Sequence, residues 1–449
     1  MISRHAAPAL AAAALAGCAA VLGADFDRHL APDADGGAAG DATAAADSPT
    51  SPTDAAADAA RDAGPPPPAV DCGDMGGLQA GAAWPTEGYC NTRPGRSGAP
   101  ALKKPKIAWR YTVPTANAAF TSPPVIAADG TVYAVAFDPP DAAALGYSLV
   151  AVRASGQERF RAALPSGFGG VSASPTIAAD GTVYVAAVAA LTAFTADGAP
   201  KWSKPLGNAP AAAPTVLPDG TVVVAGAAAL EAFYPDGNSR WSYPSDGYGF
   251  VGTAAVTAGG LLVVGEQPPL GQLDGAVHVV SPDGQRRAKI GVSGTPRTTP
   301  VLVDKTRFAV STTTSRYAVL TVSGGVDSVK AGPSVSDPLA PVAWSAPLVW
   351  FAGARSRPVT LDVATGAVVA RDDVGSITTG FAAAGDGTLV VATRGGGTPN
   401  VLRGLSADGA TERWSVELEI TGADPKGPAI GSDGAVALPW GPTLYLVRD

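Results

Sequence analysis

The chain has 449 residues, 46% of them hydrophobic, and a formal charge of −8 from 39 acidic and 31 basic side chains, with three His and three Cys. It has no basic stripe of the kind that neutralises phosphates, which argues against a nucleic-acid partner. Its apolar residues are mostly Ala and Val, and beyond the first residues no run reaches the roughly 18 needed for a spanning helix.

Residues 1–17 read as an export signal. Arg4 supplies the charged start, Ala6 to Leu15 a brief apolar stretch, and small residues follow. The tetrad Leu15-Ala-Gly-Cys18 resembles a bacterial lipobox, in which the Cys becomes the lipidated first residue of the mature protein. That resemblance implies lipid attachment at Cys18. Ala19 stands where an Asp would favour inner-membrane retention, so the same resemblance implies the outer membrane.

Residues 18–70 are the lipidated terminus and a tether. The stretch 31–70 is almost entirely Ala, Asp, Pro, Gly, Ser and Thr, ending in Gly64-Pro-Pro-Pro-Pro68. Such a composition cannot bury enough apolar surface to order itself, and its Pro content extends its reach. It is expected to hold a folded head away from a lipid surface.

Residues 71–105 form a Gly-rich prelude containing Cys72 and Cys90. Export places this pair in an oxidising compartment, where a disulfide closing a small loop is expected. By chain-entropy arguments it is worth on the order of 3 kcal/mol. Two free thiols or a metal site are the alternatives, but with only His5, His29 and His278 in the chain the metal reading lacks ligands.

Residues 106–449 repeat a unit with a period near 40. The first hairpin of each unit is marked by Asp129-Gly130, Asp180-Gly181, Asp219-Gly220, Gly259-Gly260, Lys305-Thr306, the region of Ala346, Asp386-Gly387 and Asp433-Gly434. Asp-Gly between β-branched runs predicts a type I′ turn. A second hairpin follows, as in Leu191-Thr-Ala-Phe-Thr-Ala-Asp197-Gly198 to Trp202. Four strands per unit make a propeller blade. Outer strands fall at Trp109, Phe160, Trp202, Trp241, near Ala288, near Lys330, near Ala370 and at Trp414, which counts eight. The last unit lacks its outer strand at Asp449, while Lys106–Tyr111 is an outer strand with no unit before it. The expected fold is an all-β, eight-bladed propeller of four-stranded antiparallel blades, closed by the strand near Trp109.

The Leu-x-Ala-Phe, Asp-Gly and Trp pattern of Leu191 to Trp202 and of Leu230 to Trp241 resembles the quinoprotein (PQQ-like) propeller repeat. The prelude Trp84-Pro85 through Gly95-Arg-Ser97 is similar to the opening segment of such proteins. The resemblance implies that Trp109, Trp202, Trp241 and Trp414 dock between blades. The catalytic branch of that family uses adjacent cysteines over the quinone, with calcium held by acidic and amide side chains. This propeller region contains no Cys, so no catalytic residue carries over. With its lipobox-like tetrad and no catalytic residues, the chain resembles the non-catalytic propeller lipoproteins of the outer-membrane β-barrel assembly machinery.

Other constellations read as structural. His278 alternates with Val in Ala276-Val-His-Val-Val280, and a lone strand His is more often satisfied or solvated than a base. Gly247-Tyr-Gly-Phe-Val-Gly252 matches a phosphate-cradle pattern but follows Pro244 rather than opening a helix, so it reads as an inter-blade loop. The Asp-Gly pairs lack the alternating ligands of a calcium loop. Tyr248, Phe250, Trp344 and Trp440 could form a binding surface, against the more ordinary expectation that each packs between blades. The expectation is a monomeric, lipid-anchored propeller acting as a non-catalytic binding or scaffold module with a protein partner in the envelope and no cofactor. A small-molecule or glycan-binding surface lipoprotein is the alternative, and a PQQ-dependent dehydrogenase the remote one.

Overall fold

The computed structural model describes residues 69–449 apart from 140–145, 166–172, 188, 207–211, 333–342, 346, 352–357, 372–379, 394–399 and 420–423. Cys18, the signal 1–17, the tether up to residue 68 and the turn near Ala346 lie outside the described residues. The described residues contain strands and no helix.

The strands assemble into eight antiparallel sheets, one per blade. Blade 2 shows why. Val183–Ala187 and Ala190–Phe194 are β-branched, aromatic and Ala-rich and are buried throughout, whereas the outer strand Pro200–Pro205 alternates exposed and half-buried positions. Inner strands are covered on both faces and read as continuous apolar runs, while outer strands keep one face in water. The seams between blades are apolar cores: Val125, Val135 and Leu149 of blade 1 share a cluster with Ile177, Val185 and Phe194 of blade 2, while the two seams of blade 8 merge into one.

The ring closes through blade 8, whose outer strand comes from the other end of the chain. Lys106–Thr112 pairs with Thr443–Arg448, setting Arg110 opposite Tyr445 and Tyr111 opposite Leu444. The Asp449 carboxylate accepts the backbone N–H of Lys103 and Lys104 at 2.9 and 2.8 Å, where the other blades have a hairpin turn. Closure leaves no blade of the ring without two neighbours, which protects the seam. Blade 1 departs from regularity: its inner strand is split into Ala119–Phe120 and Val125–Ile126, both paired with Val132–Phe137. The break falls at Ser122-Pro-Pro124, where Pro has no N–H to donate, and Ser122 Oγ accepts the Val135 N–H at 2.8 Å instead.

The Asp-Gly hairpins are not type I′. In that turn both central residues need positive φ, yet only the Gly has it, at 77° for Gly130 and 81° for Gly181. The turn is a type I turn followed by a left-handed Gly. Gly130 N–H bonds to Ala127 C=O, Ala127 N–H to Thr131 C=O, and the Asp129 carboxylate accepts the Thr131 N–H at 2.9 Å. Asp therefore contributes through its side chain, as an Asx turn, rather than through a left-handed backbone.

The outer-strand aromatics lock one blade to the next. Trp109, Trp202 and Trp241 donate their indole N–H to Ala154, Pro235 and Pro282 C=O, each at 2.9 Å, in the outer hairpin of the following blade. A Cβ on the turn glycines Gly156, Gly237 and Gly284 would lie 2.6 to 2.8 Å from the same rings, so only Gly lets the turn approach. Phe160 takes the equivalent place against Gly198. Trp414 is placed differently: its indole lies over Gly404 of its own blade, within a core joining blades 7, 8 and 1. The next blade has no outer hairpin turn to receive it, because blade 8 is completed by the strand from the other end. Before Phe160, Trp202, Trp241 and Trp414, though not before Trp109, stands a basic residue that pairs with the Asp of its own first hairpin, as in Arg159–Asp129 at 3.0 Å and Arg413–Asp386 at 2.6 Å. Such half-exposed pairs are worth under about 1 kcal/mol each.

Candidate functional site

The first-hairpin turns and the outer-hairpin turns lie on one face of the ring, the turn face. The connections between blades and between second and third strands lie on the opposite, loop face. Residues Leu78 to Pro100 run across the turn face and pair with the inner strands of blade after blade. Leu78 bridges to Ala178, Trp84 to Ile126 and Arg96 to Ala383, while Val256 N–H bonds to Asn91 C=O and Leu302 N–H to Thr92 C=O. A single segment can reach inner strands all around the ring only at its axis. Cys72 and Cys90 are disulfide-bonded, with Cα atoms 5.7 Å apart, and Cys90 is fully buried. Arg93 is buried as well. It donates to Thr86 Oγ1 and Glu87 C=O at 2.6 Å and to Thr215 Oγ1 at 2.9 Å. Burial lowers its pKa to about 10 against the opposing pull of Glu87, so the group stays charged.

The loop face of blade 4 presents a surface of different character. Tyr248 on the inter-blade connection is 60% exposed, and Leu270 and Leu273 on the neighbouring loop are 85% and 80% exposed. Large apolar side chains this open and this close in the chain fold mark contact surfaces more often than scattered single ones do. The inter-blade connection that carries Tyr248 is braced from below by Glu266, which is 2% exposed. One carboxylate oxygen accepts from Ser245 Oγ at 2.7 Å and from the N–H of Asp246 and Gly247 at 2.7 and 3.0 Å. The other accepts from His278 Nε2 at 2.8 Å and Lys289 Nζ at 2.9 Å. Gly247 must be Gly here, since a Cβ would sit 2.0 Å from the Gln267 carbonyl oxygen. Burial would raise the Glu266 pKa, but hydrogen bonds from Ser245, Lys289 and His278 outweigh it and bring it down to about 2.

His278 is fully buried in this brace. With Nε2–H donating to Glu266, its Nδ1 accepts the Tyr243 hydroxyl at 2.8 Å, and its ring meets Phe250 edge-on at 5.4 Å. Burial pushes its pKa down despite the facing carboxylate, so it is neutral at pH 7. Both nitrogens are satisfied and no solvent reaches them, which makes His278 a structural residue of the loop brace.

The four aromatics therefore separate. Tyr248 is exposed, Phe250 is 6% exposed beneath it, and Trp440 is fully buried in the core near the ring seam. The Trp344 side chain lies outside the described residues. The Gly247–Gly252 motif joins two blades, and its second half already belongs to the strand Gly249–Val256. Leu270, Leu273 and Glu266 were not singled out from sequence. The available signal was Leu in Pro268-Pro-Leu-Gly-Gln-Leu273, apolar residues in a stretch too Pro- and Gly-rich to be a buried strand.

The resemblance to quinoproteins raises the question of a quinone with its calcium. Among the described residues no group of three or more His, Cys, Asp or Glu could hold a metal ion, and the propeller region has no Cys. The donor set such a cofactor needs is not among them, and no chemical step is derived through it.

The family described as outer membrane protein assembly factor BamB matches residues 146–331, from the third strand of blade 1 through blade 5. No curated protein matches the chain. Among solved structures, a quinohemoprotein alcohol dehydrogenase from Comamonas testosteroni is 13% identical with a TM-score of 0.60, covering 83% of this chain and 81% of that one. A europium-containing methanol dehydrogenase is 11% identical with a TM-score of 0.60, covering 82% and 98%. The computationally designed Ika8 protein is 11% identical with a TM-score of 0.56, covering 78% and 100%. Likeness at this identity concerns the fold alone, and fold does not carry function. The chain is an eight-bladed propeller of PQQ-like repeats that resembles the outer membrane protein assembly factor BamB.

Proposed function

We propose that this protein is a lipid-anchored propeller of the cell envelope that docks another envelope protein without catalysing a reaction, in the service of outer-membrane protein assembly. In this reading residues 1–17 are the signal, Cys18 carries the lipid, the tether runs to residue 70 and the prelude 71–105 caps the ring. The observation that carries it is the exposed trio Tyr248, Leu270 and Leu273 on the loop face of blade 4, with the Tyr248 connection braced by buried Glu266. A rigid apolar surface loses little conformational entropy on binding, which is what a docking site requires. The BamB-type match over residues 146–331 includes this blade and supports a protein partner of that class.

The test is photo-crosslinking in native membranes from a probe at Leu273. Capture of a barrel-assembly component is expected, and Leu270→Asp with Leu273→Asp should abolish it. Recovery of the uncrosslinked protein alone would count against the reading. The anchor has its own measurement: Cys18→Ala should release the protein in soluble form.

A further inference from the structure

A second surface lies on the opposite, turn face. The prelude arches over the ring there and leaves a bowl of about 720 Å³ between its two arms. This is within the roughly 300 to 1,000 Å³ of small-molecule sites. Its walls come from Met75 to Ala83 on one side and Ser97 to Pro100 on the other, with Tyr89 between, and the rim includes Ala179 of blade 2 and Ser432 of blade 8.

We propose that this bowl binds a neutral carbohydrate. None of its lining residues is charged. An ionic ligand entering it would lose hydration without gaining an opposite charge, which is costly. What the lining offers is an apolar surface from half-buried Met75, an aromatic side chain from half-buried Tyr89, and amide and hydroxyl groups from Gln79 and exposed Ser432. A pyranose has the matching chemistry, with C–H faces that lie on apolar and aromatic surfaces and a hydroxyl rim that both donates and accepts.

Tyr89 strengthens the assignment. Its φ is 82°, a conformation that favours Gly and costs a bulky residue on the order of 1 to 3 kcal/mol. Tyr89 is held there by its neighbour Trp84, the ring centroids 5.4 Å apart and tilted by 57°. An aromatic side chain kept at a strained position on the wall of an uncharged bowl is the arrangement a sugar face requires. Gly98 provides a clean way to close the site. Gly98 lines the bowl, a Cβ there would meet nothing within 4 Å, and its φ lies outside the left-handed region, so a large side chain can be placed at this wall without disturbing the fold.

The experiment is calorimetric titration of the full-length protein with maltoheptaose, chitohexaose and dextran, and with polygalacturonate as the charged control. Saturable binding of a neutral oligomer is expected, weakened at least about tenfold by Gly98→Trp with the melting temperature unchanged. No saturable binding of any neutral oligomer at millimolar concentration would overturn the proposal, as would binding that Gly98→Trp leaves intact or tighter binding of polygalacturonate. If Gly98→Trp does not fold, Ser432→Trp on the blade 8 part of the rim serves the same comparison. Crosslinking from Leu273 on the other face should be indifferent to both variants, which keeps this proposal separable from the docking one.

Discussion

The indole N–H of Trp202 donates to the carbonyl of Pro235 at 2.9 Å, and the same ring lies where a side chain on Gly237 would otherwise stand. One contact thus joins the outer strand of blade 2 to the outer hairpin of blade 3, and its equivalents recur at Trp109 with Gly156 and Trp241 with Gly284. The seams between blades are fastened by this pair wherever both partners are present.

Gly237→Ala tests it directly. The new Cβ would sit 2.8 Å from the Trp202 ring, and the backbone is held at φ 86°. A loss of about 2 kcal/mol in denaturant unfolding is expected from strain and displaced packing together. In a Trp202→Ala background the steric part should disappear, so a strictly additive double mutant would refute the coupling.

Blade 4 has Ala288 in the slot that Trp fills elsewhere, and a Cβ on Gly324 of blade 5 would lie 3.3 Å from the Ala288 Cβ. Ala288→Trp should lay an indole over that turn, with the Val322 carbonyl in the position of the Pro235 acceptor. Filling such a gap typically adds about 0.5 to 2 kcal/mol. A lowered melting temperature for Ala288→Trp would show that the slot at this seam has closed in another way.

The brace under the loop face makes stability depend on pH. His278 has its folded pKa lowered by burial, so below its ordinary value of about 6.5 the unfolded chain binds a proton that the folded one resists. Stability therefore falls as pH drops through that value. Glu266, at about 2 when folded, contributes stability above the ordinary Glu value of about 4.3 that is lost as pH falls toward 2. Thermal melts should be flat above pH 7 and decline below about 6.5. His278→Gln should remove the upper part of the decline and leave the lower part. A profile that His278→Gln does not change would mean that Tyr243, Lys289 and Asp246 compensate for the buried imidazole.

The prelude should be the first element to detach under reduction. Cys72 and Cys90 close a loop of sequence separation 18. Breaking it is expected to cost about 3 kcal/mol, from either reductant or Cys72→Ala with Cys90→Ala. Hydrogen exchange should report the loss at Asn91 to Ser97, where the segment bonds to Val216, Ala254 and Ala383. Unchanged protection there would show that the inner-strand hydrogen bonds alone hold the segment.

Much of the fold was legible because a blade is a local object. The Asp-Gly turns, the alternation of outer strands and the Trp slots all lie within one unit, so their spacing declared eight blades and the closing role of Lys106–Thr112. Even the false reading of the turns as type I′ left the hairpins in place, since the Gly supplies the positive φ in both turn types. The functional surfaces were less legible. Tyr248, Phe250 and Trp440 look alike in sequence, yet one is exposed and two are buried, because each depends on what the neighbouring blade brings against it.

By itself, then, the sequence determined the architecture, the blade count and the strand that closes the ring, all set by short-range turn chemistry and period-two burial. Tertiary structure alone decided that Trp414 folds over its own blade, that His278 and Glu266 join beneath an exposed apolar loop, and that the prelude caps the axis and frames a bowl. These rest on contacts between residues far apart in the chain, such as Arg96 with Gly385 and Arg93 with Thr215. Such contacts exist only once the ring has closed and brought the inner strands around one axis.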